Sequence, residues 1–219
     1  MDQTAVLAMR CPIDQVPVTA DQRSLTCESG HCFDIAKQGY VNLAVANSKA
    51  SSLRSDDLDM VTSRQRFLAT GAFDPIVDAV ASRIPRDRTG NNGRLFVELG
   101  AGTAAYLAAA LDRNDDAHGI AIDLAIPATI RAARSHGRTT AIVSDSWAPL
   151  PLADDTVDAV LVAFAPRNLA EIARVLRPGG RLVLASAKPA HIRELRDEYE
   201  LLGIATKNTD RVSVPAEQV

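Results

Sequence analysis

The sequence predicts an α/β fold in which a doubly wound, mostly parallel sheet follows a small N-terminal module. Three observations predict it. Short apolar runs alternate with helical stretches from residue 95 onward, a glycine turn joins the first run to its helix, and an acidic residue closes or follows each of the next two runs. Continuous apolar runs spaced by helices are typical of parallel strands buried on both faces. We therefore expect five β–α units in residues 94–219.

Composition narrows the class of protein. The 219 residues are 47% hydrophobic and 23% charged, which suits one core with a small appended module. A net charge of −3 and an aromatic content of 4% give no bulk attraction to nucleic acid, so only a local basic face could bind it. The sequence shows neither a long apolar run nor a signal-like N-terminus, and its three cysteines do not suggest a disulfide framework. We expect a cytoplasmic protein without membrane contact.

The chain divides into three predicted segments. Residues 1–47 hold all the cysteines and form the small module. Residues 48–93 begin and end with linker composition and contain two short predicted helices separated at Gly71, so they form a helical connector. In residues 94–219 the predicted strands are Leu95–Leu99, Gly119–Ile122, Thr140–Val143, Val157–Ala163 and Arg181–Ala185. The predicted helices are Ala104–Leu111, Ile126–Ser135, Leu169–Leu176 and Ala190–Leu202.

The first strand runs into a turn that can hold a ligand. Gly100 and Gly102 let the backbone approach a ligand closely, and N–H groups at the helix start can receive polar or anionic groups. With Ala104 the pattern also fits a nicotinamide dinucleotide fold, or simply a tight β-to-α turn. Asp123 closes the second run, where it can bind both ribose hydroxyls, and Asp145 follows the third, where it can reach an adenine amino group. Together these residues predict one cofactor crevice.

The later segments indicate which cofactor it is. VDAV opens the fourth run, and a helix ending in Leu-Arg leads through Pro-Gly-Gly into the fifth. This arrangement resembles the later motifs of class I Rossmann-like methyltransferases, which bind S-adenosylmethionine, although that family often has a third glycine where Ala104 stands. The resemblance implies a cofactor site made of Glu98, Gly100, Gly102, Thr103, Asp123, Leu124, Asp145, Ser146 and Trp147.

The N-terminal half carries a more specific pattern. It contains Cys11-Pro12, then Cys27 and His31 followed by Phe33-Asp34, then GYVNL at 39–43, and then Met60-Val61 with Arg64. This resembles the bacterial 23S rRNA (guanine-N1)-methyltransferases, including the macrolide-resistance branch of actinomycetes, over nearly the whole chain. The resemblance implies methylation of guanine N1 in a 23S rRNA hairpin loop, with ribosomal RNA as partner and a zinc-ribbon-like, RNA-binding N-terminal module.

The implied zinc site departs from the family at one position. Asp14 stands where the family has its second cysteine, and structural zinc sites are mostly made of cysteine and histidine. The sequence leaves two interpretations open, a weakened site of Cys11, Asp14, Cys27 and His31 or a metal-free knuckle with buried thiols. Cys32 is a poor substitute because it directly follows His31 and points elsewhere.

The C-terminal part also departs from the family pattern. A class I methyltransferase resembles a seven-stranded sheet whose last two strands form a hairpin, and we expect that hairpin to be missing here. An open edge strand invites pairing. The chain could therefore be a natural short form, a truncated form, or a protein completed by a partner, including a second copy in a homodimer.

Substrate contacts are expected after the fourth strand, where methyltransferases often place them. The substrate-side candidates are Phe164, Pro166, Arg167 and Asn168. Arg167 also fits a helix-start or surface arginine, and Arg64 and Arg66 fit either RNA contacts or a solvated helix face. No catalytic base is predicted.

Two other functions stay open at the level of sequence. The acidic charge and scarce aromatic residues favour a small-molecule, natural-product methyltransferase. The lost cysteine, Ala104 and the short C-terminus favour a degenerate, non-catalytic family member that acts as a binding protein.

Overall fold

The computed structural model describes residues 1–45, 55–84, 86, 93–188, 191, 193, 194 and 198. Met1–Ala185 form one compact unit, and Ser186–Val219 form a second, of which few residues are described. The helices are α1 (Gln3–Ala8), α2 (Leu58–Leu68), α3 (Asp74–Ser82), α4 (Ala105–Asp112), α5 (Ile126–Ala132) and α6 (Leu169–Val175). The strands are β1 (Val18–Ala20), β2 (Ser24–Cys27), β3 (Cys32–Asp34), β4 (Tyr40–Asn42), β5 (Arg94–Leu99), β6 (Ala117–Asp123), β7 (Thr139–Val143), β8 (Val157–Ala163) and β9 (Leu176–Ala185).

The larger sheet has six strands in the order β4-β7-β6-β5-β8-β9, and every neighbouring pair is parallel. The central strand β5 is buried along its whole length, as its continuous apolar run predicts. Alternate residues of β5 enter different cores, since Leu95 and Val97 face one cluster and Phe96 faces the other. The predicted doubly wound, mostly parallel α/β fold is confirmed.

The two faces of this sheet are covered by different parts of the chain. One core joins the sheet to α1, to the N-terminal module through Val18 and Leu25, and to α6 through Ile172. The other joins it to α3, through Val80 and Ala81, and to α4 and α5. None of the helices in the described ranges has the length and apolarity that a membrane span requires.

The N-terminal module forms a small antiparallel sheet in the order β1-β2-β3. Alternation along β2 buries Leu25 and Cys27. The next strand, β4, leaves this sheet and pairs in parallel with β7, with Val41 opposite Ile142. The GYVNL string therefore adds a strand to the larger sheet, a role that the sequence did not predict.

The structure confirms all five strands predicted after residue 94, with β6 and β9 extending beyond the predicted ends. It also confirms the two helices on either side of Gly71, which has a φ of +76°. The predicted boundary near residue 47 lies outside the described residues, and the boundary near 93 directly precedes β5. Most of the predicted helix 190–202, and the question of a missing hairpin, also lie outside them.

Candidate cofactor and metal sites

The predicted crevice lies at the carboxyl ends of β5, β6 and β7. Leu99 pairs with Ile122, and Asp123 pairs with Val143, so the turns after these strands leave the sheet at the same edge. Open α/β sheets bind ligands at this edge. The structure therefore brings together the residues of the predicted cofactor site.

Asp123 is held in place by two backbone hydrogen bonds. Gly102 N donates to its Oδ2 at 2.7 Å, and Ala125 N donates to its Oδ1 at 2.8 Å. Burial raises the pKa of this carboxyl, and the two hydrogen bonds oppose that shift. Each oxygen retains a second lone pair. Asp123 is thus a fixed acceptor with capacity for two hydroxyl groups, as a ribose requires.

Asp145 is buried, and its Oδ1 accepts a hydrogen bond from Trp147 N at 2.9 Å. The Trp147 side chain is 41% exposed, which suits an apolar wall for an adenine. Asn168 Nδ2 donates to Trp147 O at 3.0 Å, so the start of α6 fixes the turn that follows β7. Thr103, Leu124 and Ser146 are half-buried in the three turns.

Glu98 lies beneath the crevice. It is buried, and its Oε2 accepts a hydrogen bond from Leu107 N at 3.0 Å, in the first turn of α4. Ala104, the N-cap residue of that helix, makes no side-chain cap, so the carboxyl group of Glu98 substitutes for one. Burial raises the pKa of Glu98 to about 8. Direct contact between Glu98 and the cofactor stays a prediction.

The two turn glycines have different surroundings. Gly100 has a φ of +61°, and a Cβ placed there would lie 2.4 Å from Ala165 Cβ. Gly102 has a φ of +56°, and a Cβ there would meet only Arg64 atoms, at 3.9 Å, among the described residues. Gly100 therefore lets the loop after β8 pack closely, while Gly102 lies within ordinary contact distance of Arg64.

The helix start bears on one expectation, which stays a prediction. The sequence predicted that backbone N–H groups of this turn receive the ligand. In the structure three of these groups donate within the protein, Ala101 N to Ile122 O at 3.0 Å, Gly102 N to the Asp123 carboxylate at 2.7 Å, and Ala104 N to Ala101 O at 2.7 Å. The tight φ-positive turn uses its own donors to hold its shape.

The loop after β8 carries the substrate-side candidates. Phe164 is 49% exposed and has a φ of +55°, a conformation that non-glycine residues rarely adopt. Its ring lies 6.0 Å from that of Phe73, which in turn lies 5.2 Å from Phe67. Phe67 and Phe73 were not among the residues predicted for this site, although two phenylalanines flanking Gly71 in a chain with few aromatics were a usable signal.

The remaining candidates in this loop have different environments. Pro166 is exposed, whereas Arg167 is only 9% exposed and so is not a surface arginine. Asn168 caps α6, since its Oδ1 accepts hydrogen bonds from Ala170 N and Glu171 N. Their contact with a substrate stays a prediction.

The four predicted metal ligands converge in the N-terminal module. The ligand atoms of Cys11, Asp14, Cys27 and His31 all lie within 4.8 Å of one another. His31 Nδ1 lies 3.5 Å from Cys11 Sγ, 3.4 Å from Cys27 Sγ and 3.2 Å from Asp14 Oδ2. Ligands of a tetrahedral zinc ion stand roughly 3.5 Å apart, given bond lengths of about 2.0–2.3 Å. The residues present therefore fit a zinc ion.

The side chains at this centre are perturbed by their surroundings. Burial raises the pKa of the Cys11 thiol, while hydrogen bonds from Ser29 and Cys11 lower the pKa of Asp14 to about 2. Cys32 is exposed, and it is not one of the four clustered residues.

Comparison with known protein families agrees with both sites. Residues 97–184 match the family described as "Methyltransferase domain", and residues 9–52 match a zinc-ribbon family described as "RlmA, N-terminal". The fold, the crevice and these matches define an S-adenosylmethionine-dependent methyltransferase with a zinc-ribbon module.

Relatives that match nearly the whole chain identify the family. The 23S rRNA (guanine(748)-N(1))-methyltransferase of Streptomyces fradiae is 38% identical over 97% of this chain and 75% of its own length. A Micromonospora griseorubida protein, provisionally named as a 23S rRNA (guanine-N(1)-)-methyltransferase, is 40% identical over 94% of this chain and 74% of its own. The chain therefore belongs to the 23S rRNA (guanine-N1)-methyltransferase family.

Comparison with solved structures gives matches of lower similarity. A structure from Methanococcus maripaludis, provisionally described as an S-adenosyl-L-methionine-dependent methyltransferase, is 20% identical and covers 64% of this chain and 66% of that one, with a TM-score of 0.48. A likeness at this level adds nothing to the family assignment.

Proposed function

We propose that this chain transfers a methyl group from S-adenosylmethionine to N1 of a guanine in a hairpin loop of 23S rRNA. One observation carries the proposal, the 38% identity over 97% of the chain to the Streptomyces fradiae enzyme, whose name states N1 methylation of a guanine in 23S rRNA. A ribosomal RNA substrate implies that the protein works in the cytoplasm.

The crevice supplies the geometry for this transfer. S-adenosylmethionine, when bound, supplies a methyl group on a sulfonium centre. Asp123 would hold the ribose hydroxyls, and Asp145 and Trp147 would hold the adenine. Guanine N1 would take the methyl group with S-adenosylhomocysteine as the leaving group, and the N1 proton would pass to a carboxylate or backbone carbonyl of the pocket or to solvent. Alignment of donor and acceptor would supply much of the acceleration.

The loop after β8 offers a surface for the target base. A base can be methylated at N1 only when it is unpaired or flipped out of a helix, because N1 lies on its pairing edge. The exposed ring of Phe164, continued by Phe73 and Phe67, could stack on such a base. We propose Phe164 as a base-contacting residue, with Pro166, Arg167 and Asn168 as further substrate-side residues.

The N-terminal half would serve the RNA. We propose that residues 1–47 form a zinc-bearing module that grips RNA, that 48–93 connect it, and that 94–219 form the catalytic core. Cys11, Cys27 and His31, with Asp14 as the fourth ligand, would hold the ion and fix β2 to the loop that follows α1. A homodimer is a further proposal, which sedimentation would test.

Reverse transcription offers a direct test, because a methyl group on guanine N1 blocks base pairing and stops the polymerase. Transcribed 23S rRNA hairpins are incubated with the protein and S-adenosylmethionine. We expect a stop at one loop guanine, and none with Asp123→Ala. A protein that binds S-adenosylmethionine but methylates none of these RNAs would refute the proposal. The small-molecule or non-catalytic interpretation would then take its place.

A further inference from the structure

Helix α2 brings an arginine to the rim of the cofactor crevice. Val61 is fully buried against Ala125 and Ala128 at the start of α5. The Arg131 guanidinium donates to Thr62 Oγ1 at 2.8 Å and to Gln65 Oε1 at 2.7 Å. These contacts fix both the position and the rotation of α2. Residues three apart lie on neighbouring positions of one helix face, so the packing of Val61 also sets the direction of Arg64.

Arg64, three residues after Val61, therefore faces the turn between β5 and α4. A Cβ placed on Gly102 would lie 3.9 Å from both Arg64 Cδ and Arg64 Nη1. The Arg64 side chain is 48% exposed, and its guanidinium forms an ion pair with Asp56, just before α2. Arg64 can exchange Asp56 for another anion at little cost, because exposed ion pairs contribute little net stability.

Arg64 brings a positive charge to the turn that contains Gly102. Asp123 and Asp145 would hold the nucleoside of S-adenosylmethionine, and its methionine moiety, which carries a carboxylate, would be left for neighbouring residues to bind. Backbone donors at Ala101, Gly102 and Ala104 are already used within the protein. A carboxylate bound at this turn would gain a charge-assisted hydrogen bond from a cationic side chain, and Arg64 places one against Gly102.

We propose that Arg64 binds the carboxylate of S-adenosylmethionine and exchanges Asp56 for the cofactor when the cofactor binds. The inference rests on the proposed function only in requiring that the chain binds this cofactor. It assigns Arg64 to cofactor binding rather than to RNA contact or a solvated helix face. It also gives the connector helix a direct part in the site.

Calorimetric titration with two ligands tests this assignment. One is S-adenosylmethionine, and the other is decarboxylated S-adenosylmethionine, which keeps the sulfonium and amine but lacks the carboxylate. We expect Arg64→Ala to weaken binding of the first about tenfold or more, since a charge-assisted hydrogen bond is lost. Binding of the second should change less than about twofold, and Arg64→Lys should recover part of the loss.

Arg66→Ala is the matched control, because Arg66 is an exposed arginine on the same helix. It should bind both ligands as the wild type does, and all variants should share the wild-type unfolding midpoint. Equal losses for the two ligands in Arg64→Ala, or no loss for either, would overturn the inference. A wild-type chain that binds neither ligand would instead overturn the proposed function, and the inference with it.

Discussion

At the scale of single residues, the turn after β5 contains three left-handed residues that are not equivalent. Gly100, Gly102 and Ala104 have φ values of +61°, +56° and +59°. A left-handed conformation costs an L-residue roughly 1–2 kcal/mol, which explains why related enzymes often have glycine at the third position. Ala104 is fully buried, so packing of its methyl group offsets part of that cost.

Gly100→Ala should lower the free energy of unfolding by about 2–4 kcal/mol. The new methyl group adds left-handed strain and a Cβ contact of 2.4 Å with Ala165. Gly137→Ala is the control, since nothing lies within 4 Å of its Cβ position and its φ is not left-handed. It should be neutral or stabilising by up to about 1 kcal/mol. Urea unfolding measures both, and equal effects would contradict the structure.

Glu98 should make stability depend on pH. Its pKa is about 8 in the folded chain, against 4.5 as the ordinary value. The unfolded state therefore loses this proton first as pH rises, and the contribution of Glu98 to stability, complete below about pH 4.5, disappears by about pH 8.

Glu98→Gln removes this titration but retains an acceptor for Leu107 N. We expect the stability of Glu98→Gln relative to wild type to rise steadily between about pH 4.5 and pH 8 and to be constant outside that range. Urea unfolding at a series of pH values gives the difference directly. Parallel profiles for the two proteins would show that the Glu98 carboxyl keeps an ordinary pKa when folded.

At the scale of elements, the zinc-ribbon module depends on how one loop and β2 converge. Cys11 and Asp14 lie between α1 and β1, and Cys27 ends β2. The four ligand atoms already lie within 4.8 Å of one another, so we expect the carboxylate of Asp14, rather than the backbone, to limit zinc affinity.

Asp14→Cys should therefore increase zinc affinity at least about tenfold, because a thiolate replaces a weaker carboxylate ligand and the backbone already brings the four side chains together. Competition against a chromogenic zinc chelator measures it. Cys32→Ser should leave the affinity unchanged, since Cys32 is exposed and outside the cluster. If Asp14→Cys bound zinc no better than wild type, Asp14 would not be a ligand.

In the connector, the sequence predicted the helices but not their tertiary contacts. The spacing of apolar residues predicted α2 and α3 because helix periodicity is local. It did not predict that α2 packs on α5 or that Arg64 reaches Gly102, because those contacts join residues far apart in the chain. The residues were visible in the sequence, but their neighbours were not.

At the scale of the whole molecule, the sequence predicted every strand of the larger sheet except the edge strand β4. The strands from β5 to β9 were recognisable because burial on both faces leaves continuous apolar runs. Asp123 and Asp145 were predictable because each stands at or just after the end of such a strand, and parallel strands bring their carboxyl ends to one edge. Strand β4 was not, because its pairing with β7 is set by register across some hundred residues of chain.

This pairing makes the N-terminal module part of the main core. Leu43 N donates to Val143 O at 2.9 Å, and one apolar cluster contains Cys11, Cys27 and Leu25 together with Ile142 and Val160. A core shared in this way cannot lose the module without exposing apolar surface of the sheet. We therefore expect residues 1–185 to unfold in one cooperative transition.

Two probes in different parts of the chain can test this. Fluorescence of Trp147 reports on the larger sheet, and thiol labelling of Cys11 and Cys27 reports on the module, with Cys32→Ser removing the exposed thiol. In zinc-free protein we expect both signals to change at the same urea concentration. Thiols that become reactive well before the Trp147 signal changes would mean that the module opens independently. The shared core would then contribute little to the coupling between module and sheet.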